Sequence, residues 1–222
     1  ALSDTELLKN REDFAGAALK HAMDDAYWKA RMPDWDQINV PILSAANWGG
    51  QGLHPRGNFE GFVRAASKNK WLEAHGIEHW THFYTDYGRQ LQLRFFDHFL
   101  HGKKNGWNRQ PKVQLQVRHV DKFVQRAESE WPLKRTRWTK FYLDPANLSL
   151  SKKAPDGNSK ISYKGFSDGA TFMLPPQAED IEITGPSALK LFLSSSTRDA
   201  DVFAVLRVFT PDLKEVVFQG AL

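Results

Sequence analysis

Residues 38–52 read INVPILSAANWGGQG, an apolar run that leads into a glycine-rich turn. Apolar runs of this length, bounded by polar residues, are typical of strands that are buried on both faces of a sheet. The glycines of the turn supply positive φ angles and allow another backbone to approach closely. We therefore predict a buried strand over Ile38–Ala46 that delivers the turn at Asn47–Gly52 to the edge of a sheet.

The sequence on either side of this turn completes an α/β pattern. Asn58–Ser67 carries its apolar residues on one helical face, and Lys70–His75 is a second apolar run. Strand, helix and strand in this order form the crossover unit from which parallel sheets are built. A long amphipathic helix is predicted over Tyr84–His101, and one or two helices over Leu2–Arg31.

The pattern changes near Pro111, where apolar and polar residues begin to alternate. Alternation with period two is typical of strands that have one buried face. We therefore predict two domains, an α/β domain over residues 1–110 and an all-β sandwich or jelly-roll domain over 111–222. The segments predicted as strands of the second domain are 113–117, 139–143, Ala188–Ser194, Asp201–Phe209 and Glu215–Gln219.

The predicted strands are few for either fold. About five strands do not close a sandwich, and two parallel strands are too few for a stable doubly wound sheet. We therefore expect the chain to be an internal part of a longer protein.

Composition excludes several classes of protein. The 222 residues are 41% hydrophobic and 13% aromatic, which is enough apolar material for a packed core. With 30 basic and 26 acidic residues the net charge is only +4, so neither a nucleic-acid partner nor a membrane partner is expected. The absence of cysteine excludes disulfides, thiolate catalysis and sulfur-ligated zinc. Without a signal peptide or cysteine in this sequence, a cytoplasmic location is expected.

Three histidines lie close together in the run from His75 to His82, which reads HGIEHWTH. The spacing His75-x-x-Glu78-His79 matches the zinc motif H-x-x-E-H, in which two imidazoles one helical turn apart share a metal ion. Gly76 counts against a helix there. A histidine in the loop after a strand could instead act as general base for a serine. The third alternative is that these histidines are buried with satisfied hydrogen bonds and have no chemical role.

The segment Gly165-Phe-Ser-Asp-Gly169 has the spacing of a nucleophile elbow. A functional elbow needs an apolar strand before the serine and a helix after it. The flanking residues are polar on one side and contain two prolines on the other, which forbid a helix. We therefore predict that Ser167 lies in an exposed loop and is not a nucleophile.

Several segments, which span nearly the whole chain, together match one family of enzymes. They are Ala26–Trp28, Val40–Leu43, Asn47–His54, Glu78–Trp80, Leu91–Gly102, Pro111–Arg118, Gly185–Leu189, Ser194–Ser196 and Asp199–Phe203. In this combination the chain resembles the cocaine esterase/X-Pro dipeptidyl aminopeptidase (CocE/NonD-type) family of α/β hydrolases. The resemblance implies the C-terminal part of an α/β-hydrolase domain, with lid helices, followed by an incomplete jelly-roll β-sandwich.

The resemblance also implies the chemistry of a serine hydrolase. The nucleophilic serine would lie upstream of Ala1, and His79 matches the catalytic histidine in the loop after the last strand. The family pattern has an aspartate where this sequence has Gly49 and Gly50. Either the acid comes from elsewhere, with Glu60 as the nearest candidate, or this branch of the family works without it.

The remaining expectations concern the pocket and the partners. Trp48 and Trp80 flank the candidate loops and are assigned to the substrate pocket. The imidazole of His79 is predicted to lie near the turn at Gly49–Gln51, because both loops leave the same carboxyl edge of the sheet. The substrate would be a small ester, an amide or a short peptide, no cofactor or metal is expected, and self-association into a homo-oligomer is left open.

Two rival functions come from other classes of protein. One is a zinc-dependent hydrolase that uses His75, Glu78 and His79. The other is a non-catalytic β-sandwich binding module, which would not need His79.

Overall fold

A four-stranded mixed sheet organises the computed structural model, which describes residues 2–50 and 54–216. The strands are β1 (Ile42–Asn47), β2 (Lys70–His75), β3 (Val113–Arg118) and β4 (Phe123–Glu128). They run in the order β1-β2-β3-β4, with β1, β2 and β3 parallel and β4 antiparallel to β3.

Three short helices precede the sheet, and two longer helices pack on its opposite faces. None of the helices in the described part of the chain has the length and apolar character needed to cross a membrane. Short 3₁₀ turns lie at Trp35–Gln37 and Trp107–Arg109. The α-helices are α1 (Asp4–Lys9), α2 (Phe14–Lys20), α3 (Ala26–Lys29), α4 (Pro55–Arg64), α5 (His79–Tyr84) and α6 (Asp86–Phe99).

Strand β2 lies between two apolar cores, one on each face of the sheet. Leu72 and Ala74 are buried in the core on the α4 side, whereas Trp71 is buried in the core on the α6 side. Successive side chains of a strand point to opposite faces. Glu73 and His75 therefore lie on the same face as Trp71, towards α5 and α6. The α4-side core consists of Ala46, Phe62, Leu72, Ala74, Val113 and Leu115, and the α6-side core of Trp71, Leu91, Phe95 and Trp107.

The crossover unit predicted from the sequence is confirmed, with shifted ends. The second strand has the predicted bounds, Lys70–His75, and pairs in parallel with β1. Strand β1 begins only at Ile42, since Pro41 precedes it and a 3₁₀ turn occupies 35–37. The long helix begins at Asp86 because Thr85 caps it, accepting a hydrogen bond from the backbone N–H of Gly88 on its side-chain hydroxyl.

The strands predicted for the end of the chain are largely absent. Residues 186–208 contain neither helix nor strand, so the predictions at Ala188–Ser194 and Asp201–Phe209 are wrong. Near Glu215 there is a single bridge, to Phe209, and the rest of the predicted strand at Glu215–Gln219 lies mostly outside the described residues.

The physical reason is the lack of a partner. A strand needs a neighbouring strand to pair its backbone groups, and within the described residues none lies beside this segment. Its apolar side chains consequently remain exposed, Phe192 at 92% and Phe203 at 88%.

The second half contributes a small antiparallel sheet in place of a sandwich. It consists of β5 (Tyr142–Asp144) and β6 (Ser149–Ser151). The described residues therefore form no jelly-roll. The sheet of the first half also continues across residue 111, because β3 pairs with β2. The division into two domains at this position stays a prediction.

Candidate functional site

The carboxyl ends of β1 and β2 lie side by side at one edge of the sheet. Asn47 pairs in register with His75, and the backbone N–H of Trp48 donates to the carbonyl of His75 at 2.8 Å. In open α/β sheets, ligands bind in the crevice formed by the loops that leave this edge. The two loops predicted to carry the site therefore leave the sheet as neighbours.

The side chain of Asn47 joins the two loops. It is buried, and its Nδ2 donates to the carbonyl of Gly76 at 3.3 Å and to the carbonyl of Ile77. Gly76 itself packs so closely against Phe123 that a methyl group at its position would overlap the phenyl ring. The segment that leads from β2 into α5 is thus held on both sides.

His79 is the first residue of α5, and only Gly76–Glu78 separates it from β2. His79 follows β2 as expected, but it begins a helix instead of lying within a loop, and β3 and β4 extend the sheet beyond β2. The side chain of His79 and residues 51–53 lie outside the described residues. Proximity of its imidazole to the turn at Gly49–Gln51 therefore stays a prediction.

The zinc motif considered as an alternative for His75, Glu78 and His79 is not formed. That motif places two histidines one turn apart on a single helix. In the structure His75 ends a strand and His79 begins a helix, with Glu78 as the residue before it.

The α6 face of β2 holds a buried cluster that the sequence did not reveal. Glu73 is 1% exposed, and its Oε2 lies 2.7 Å from Nδ1 of His75. Its other oxygen, Oε1, lies 3.3 Å from Nε2 of His82, which belongs to α5. The two imidazole rings stack with their centroids 3.9 Å apart. One carboxylate thus contacts two histidines from two different elements.

Electrostatics keep this carboxyl group ionised. Burial raises the pKa of Glu73, but the hydrogen bond with His75 and the interactions with His82 lower it by more, so the pKa lies below its ordinary value of 4.5. An ionised carboxylate only accepts hydrogen bonds. The Nδ1 atom of His75 must therefore carry a hydrogen and donate it to Glu73.

Not every polar atom of the cluster is satisfied. Oε1 of Glu73, Nε2 of His75 and Nε2 of His82 are buried without a hydrogen-bond partner among the described residues. The 3.3 Å approach of His82 to Glu73 is within the distance of an ion pair but does not have the direction of a hydrogen bond. Buried polar atoms without partners are costly and are concentrated at functional sites.

These three side chains could in principle hold a metal ion, since one ligand atom from each lies within 4.8 Å of the others. Ligand atoms around one tetrahedral zinc stand about 3.3 Å apart, because each bond is about 2.0–2.2 Å long. Nδ1 of His75 and Oε2 of Glu73 are 2.7 Å apart, which is a hydrogen-bond distance. The Glu73–His75 pair is therefore hydrogen-bonded.

Tyr87 and Gln114 border the cluster. The ring of Tyr87 lies 5.2 Å from that of His82, and its hydroxyl donates to Oε1 of Gln114 at 3.2 Å. Burial raises the pKa of Tyr87, and the negative charge of Glu73 raises it further. The hydroxyl therefore stays protonated and acts as a neutral donor at the border of the cluster.

The candidate acid Glu60 lies on the surface of α4. Its side chain is 49% exposed, and one carboxylate oxygen lies 3.8 Å from Arg64 one turn later. This is the environment of a solvated helix face, and the assignment of Glu60 as an acid stays a prediction.

The two tryptophans assigned to the pocket have different surroundings. The indole N–H of Trp48 donates to the carbonyl of Gln116 at 2.9 Å, and the ring stacks on Phe59. Trp48 thus ties the end of β1 to β3. Trp80, on the first turn of α5, is 59% exposed. A role for either residue in binding substrate stays a prediction.

No carboxylate follows β1 at Gly49 or Gly50. The N–H of Gly50 donates to the carbonyl of Asn47 at 3.2 Å, which forms a tight turn. A Cβ atom at residue 50 would lie 3.3 Å from Oδ1 of Asn47, a tight contact.

The formal elbow at Gly165–Gly169 is a surface turn, as predicted. Ser167 is exposed, and its hydroxyl donates to the carbonyl of Lys164 at 2.6 Å. The preceding Phe166 is fully exposed. In the described residues no strand leads directly into Ser167 and no helix follows it.

Comparison with known proteins gives a consistent family relation. Residues 105–222 match the family described as the X-Pro dipeptidyl-peptidase C-terminal non-catalytic domain. Cocaine esterase from Rhodococcus sp. (strain MB1 Bresler) is 26% identical over 161 residues, which cover 55% of this chain and 28% of the esterase.

Solved structures agree with these sequence matches. Two crystal structures of a CocE/NonD family hydrolase from Staphylococcus aureus superpose with a TM-score of 0.61 and 38% sequence identity. The superposed part covers 64% of this chain and 26% of the hydrolase. The chain thus spans about a quarter of the length of the relatives it matches.

Proposed function

Because this chain belongs to the CocE/NonD hydrolase family, we propose that it is part of a longer serine hydrolase that cleaves an ester or an amide by acyl transfer. The substrate class is a small ester, an amide or a short X-Pro peptide. His79 acts as the general base, and the nucleophilic serine lies upstream of Ala1.

The proposed reaction has two steps. The serine oxygen attacks the carbonyl carbon of the substrate while His79 accepts the hydroxyl proton. The bond to the leaving group then breaks, and His79 returns the proton to the leaving oxygen or nitrogen. In the second step a water molecule gives its proton to His79 and attacks the acyl-enzyme, which releases the acid and regenerates the serine.

The observation that carries the proposal is the position of His79 at the start of α5. It follows the carboxyl end of β2 directly, beside the end of β1, and the Asn47 amide bonds to the segment that leads to it. Loops at this edge of a parallel sheet are where α/β enzymes place the groups that react.

The second half of the chain has a supporting role in this proposal. The family that matches residues 105–222 is described as non-catalytic. Its first strand, β3, pairs with β2, and Trp48 donates to its residue Gln116. This part of the chain therefore packs against and stabilises the sheet edge from which α5 leaves.

The test is steady-state hydrolysis of ester and X-Pro-amide substrates by the full-length protein and its His79→Ala variant. Removing the general base of such a triad lowers kcat by a factor on the order of 10⁴ or more. His101→Ala is the matched control, since His101 is exposed beyond the end of α6. Full activity of the His79→Ala protein would refute the assignment of His79 as the base, and an absence of hydrolysis by the wild-type protein would favour a binding module.

A further inference from the structure

The helix that begins with His79 is too short to hold its own position. α5 has six residues, and isolated helices below about 12–15 residues are marginal in water. Its orientation must therefore come from contacts with the rest of the fold.

The side-chain contact between α5 and β2 is made by His82. Among residues 80–84, whose side chains are described, His82 alone is buried, while Trp80 and Tyr84 are 59% and 71% exposed. The side chain of His82 stacks on His75 and lies 3.3 Å from Glu73. The attachment of α5 to the sheet is thus made through a buried carboxylate.

From this arrangement we infer that Glu73 is a positioning residue, which sets the orientation of His79 through His82 and α5. The inference rests on the proposed function of His79. His79 and His82 are three residues apart on one short helix, so the backbone of His79 moves together with that of His82. A shift of His82 relative to Glu73 therefore moves the start of α5 as well.

Glu73 has the charge and burial that such a role needs. It is the one buried carboxylate among the described residues, and the turn after β1 offers none. The groups that face it are His75 on its own strand, His82 on α5 and Tyr87 on α6. A buried charge of this kind holds its partners in place, because moving either imidazole away leaves the carboxylate unpaired.

The experiment is a double-mutant cycle in the full-length enzyme with Glu73→Gln and His82→Gln. We expect each single change to lower kcat by about 10- to 100-fold with little change in KM. Losses of this size follow when the hydrogen-bond partner that orients a metal-ligating side chain is removed. The kcat of the double variant should be no lower than that of the more impaired single variant, because both changes break the same contact between Glu73 and His82. Glu73→Asp should recover part of the loss.

The pH profile separates positioning from a loss of stability. Glu73→Gln removes the buried negative charge of the cluster that contacts α5, so the acid limb of kcat/KM, which reports the base, should shift in this variant. Val113→Ala, in the core on the opposite face of β2, serves as a control that destabilises the fold without touching α5. It should leave the limb unchanged.

The outcomes distinguish this inference from the proposed function. If His79→Ala abolishes activity while Glu73→Gln and His82→Gln keep the wild-type kcat and pH profile, the positioning role of Glu73 is refuted. The assignment of His79 as general base then still stands. If Glu73→Gln does not fold, the kcat and the pH profile of His82→Gln alone decide whether the positioning role holds. Activity that EDTA removes and Zn²⁺ restores would overturn the inference, because the cluster would then be a metal site.

Discussion

Two apolar regions of this chain, β2 with its neighbours and residues 186–208, have opposite fates. The first pairs on both sides, with β1 and with β3, and buries Leu72 and Ala74 almost completely. The second has similar apolar residues but forms no ladder, and Phe192 is 92% exposed. Apolar patterning gives a segment the capacity to be a strand, and a neighbouring strand decides whether it becomes one.

Truncating an apolar side chain in each region should show the difference between them most clearly. Leu115→Ala, at a fully buried position of β3, should lower the free energy of unfolding by about 2–5 kcal/mol. Leu189→Ala, at a position that is 53% exposed, should change it by less than about 0.5 kcal/mol. Urea denaturation of both variants measures the difference. Equal losses would show that the second region is as well packed as the first.

Two glycines allow a comparison between a closely packed position and a position with free space around it. Gly76→Ala would overlap the ring of Phe123 and should cost about 1–3 kcal/mol. Gly57→Ala, on α4 with nothing within 4 Å of the added methyl group, should instead stabilise the protein by about 0.4–1 kcal/mol. Opposite shifts in the urea midpoint are expected. A stabilising effect at both positions would contradict the close packing of the loop after β2.

The amide of Asn47 provides a finer test of the sheet edge. Asn47→Ala leaves the carbonyls of Gly76 and Ile77 without its donor and should cost about 1–3 kcal/mol. Hydrogen exchange should quicken in the segment before α5 and not in α4. Asn39→Ala removes an exposed contact with the carbonyl of Gln37 and should have no measurable effect. Unchanged exchange before α5 would mean that Asn47 does not hold this loop.

The smallest expected effect is the pH dependence contributed by Glu73. Its pKa is lowered in the folded protein, so the stability it contributes is present above its ordinary value of 4.5 and is lost as the pH falls below it. Thermal melts between neutral and acidic pH should therefore show a shallower loss for Glu73→Gln than for the wild type. Parallel curves for the two proteins would show that Glu73 is not held ionised by its histidines.

The sequence predicted the parts of the fold that depend on local pattern. The bounds of β2 followed from one apolar run, and α4 and α6 from amphipathic stripes. The pairing of β3 with β2 was not predicted, because tertiary packing chooses the partner of a strand. The start of α5 at His79 was also missed. Gly76 argued against a helix in this segment, but the helix begins three residues later and does not include Gly76.

The sequence predicted the sheet edge that carries the candidate site but not the buried cluster beside it. The shared edge of β1 and β2 followed from the order of strands and turns. The cluster at Glu73 could have been suspected, because an acidic residue inside an apolar strand lies on the same face as a histidine two residues later. Its contact with His82 depends on how α5 packs, which no local pattern specifies.

The central claim, that His79 activates a serine from this sheet edge, is tested most directly by the rate at which a fluorophosphonate labels the full-length protein. This reaction reports nucleophile activation alone, without product release. The account predicts that His79→Ala slows labelling by a factor on the order of 10³ or more, while His101→Ala labels at the wild-type rate. Labelling of His79→Ala at the wild-type rate, or labelling of Ser167, would contradict it.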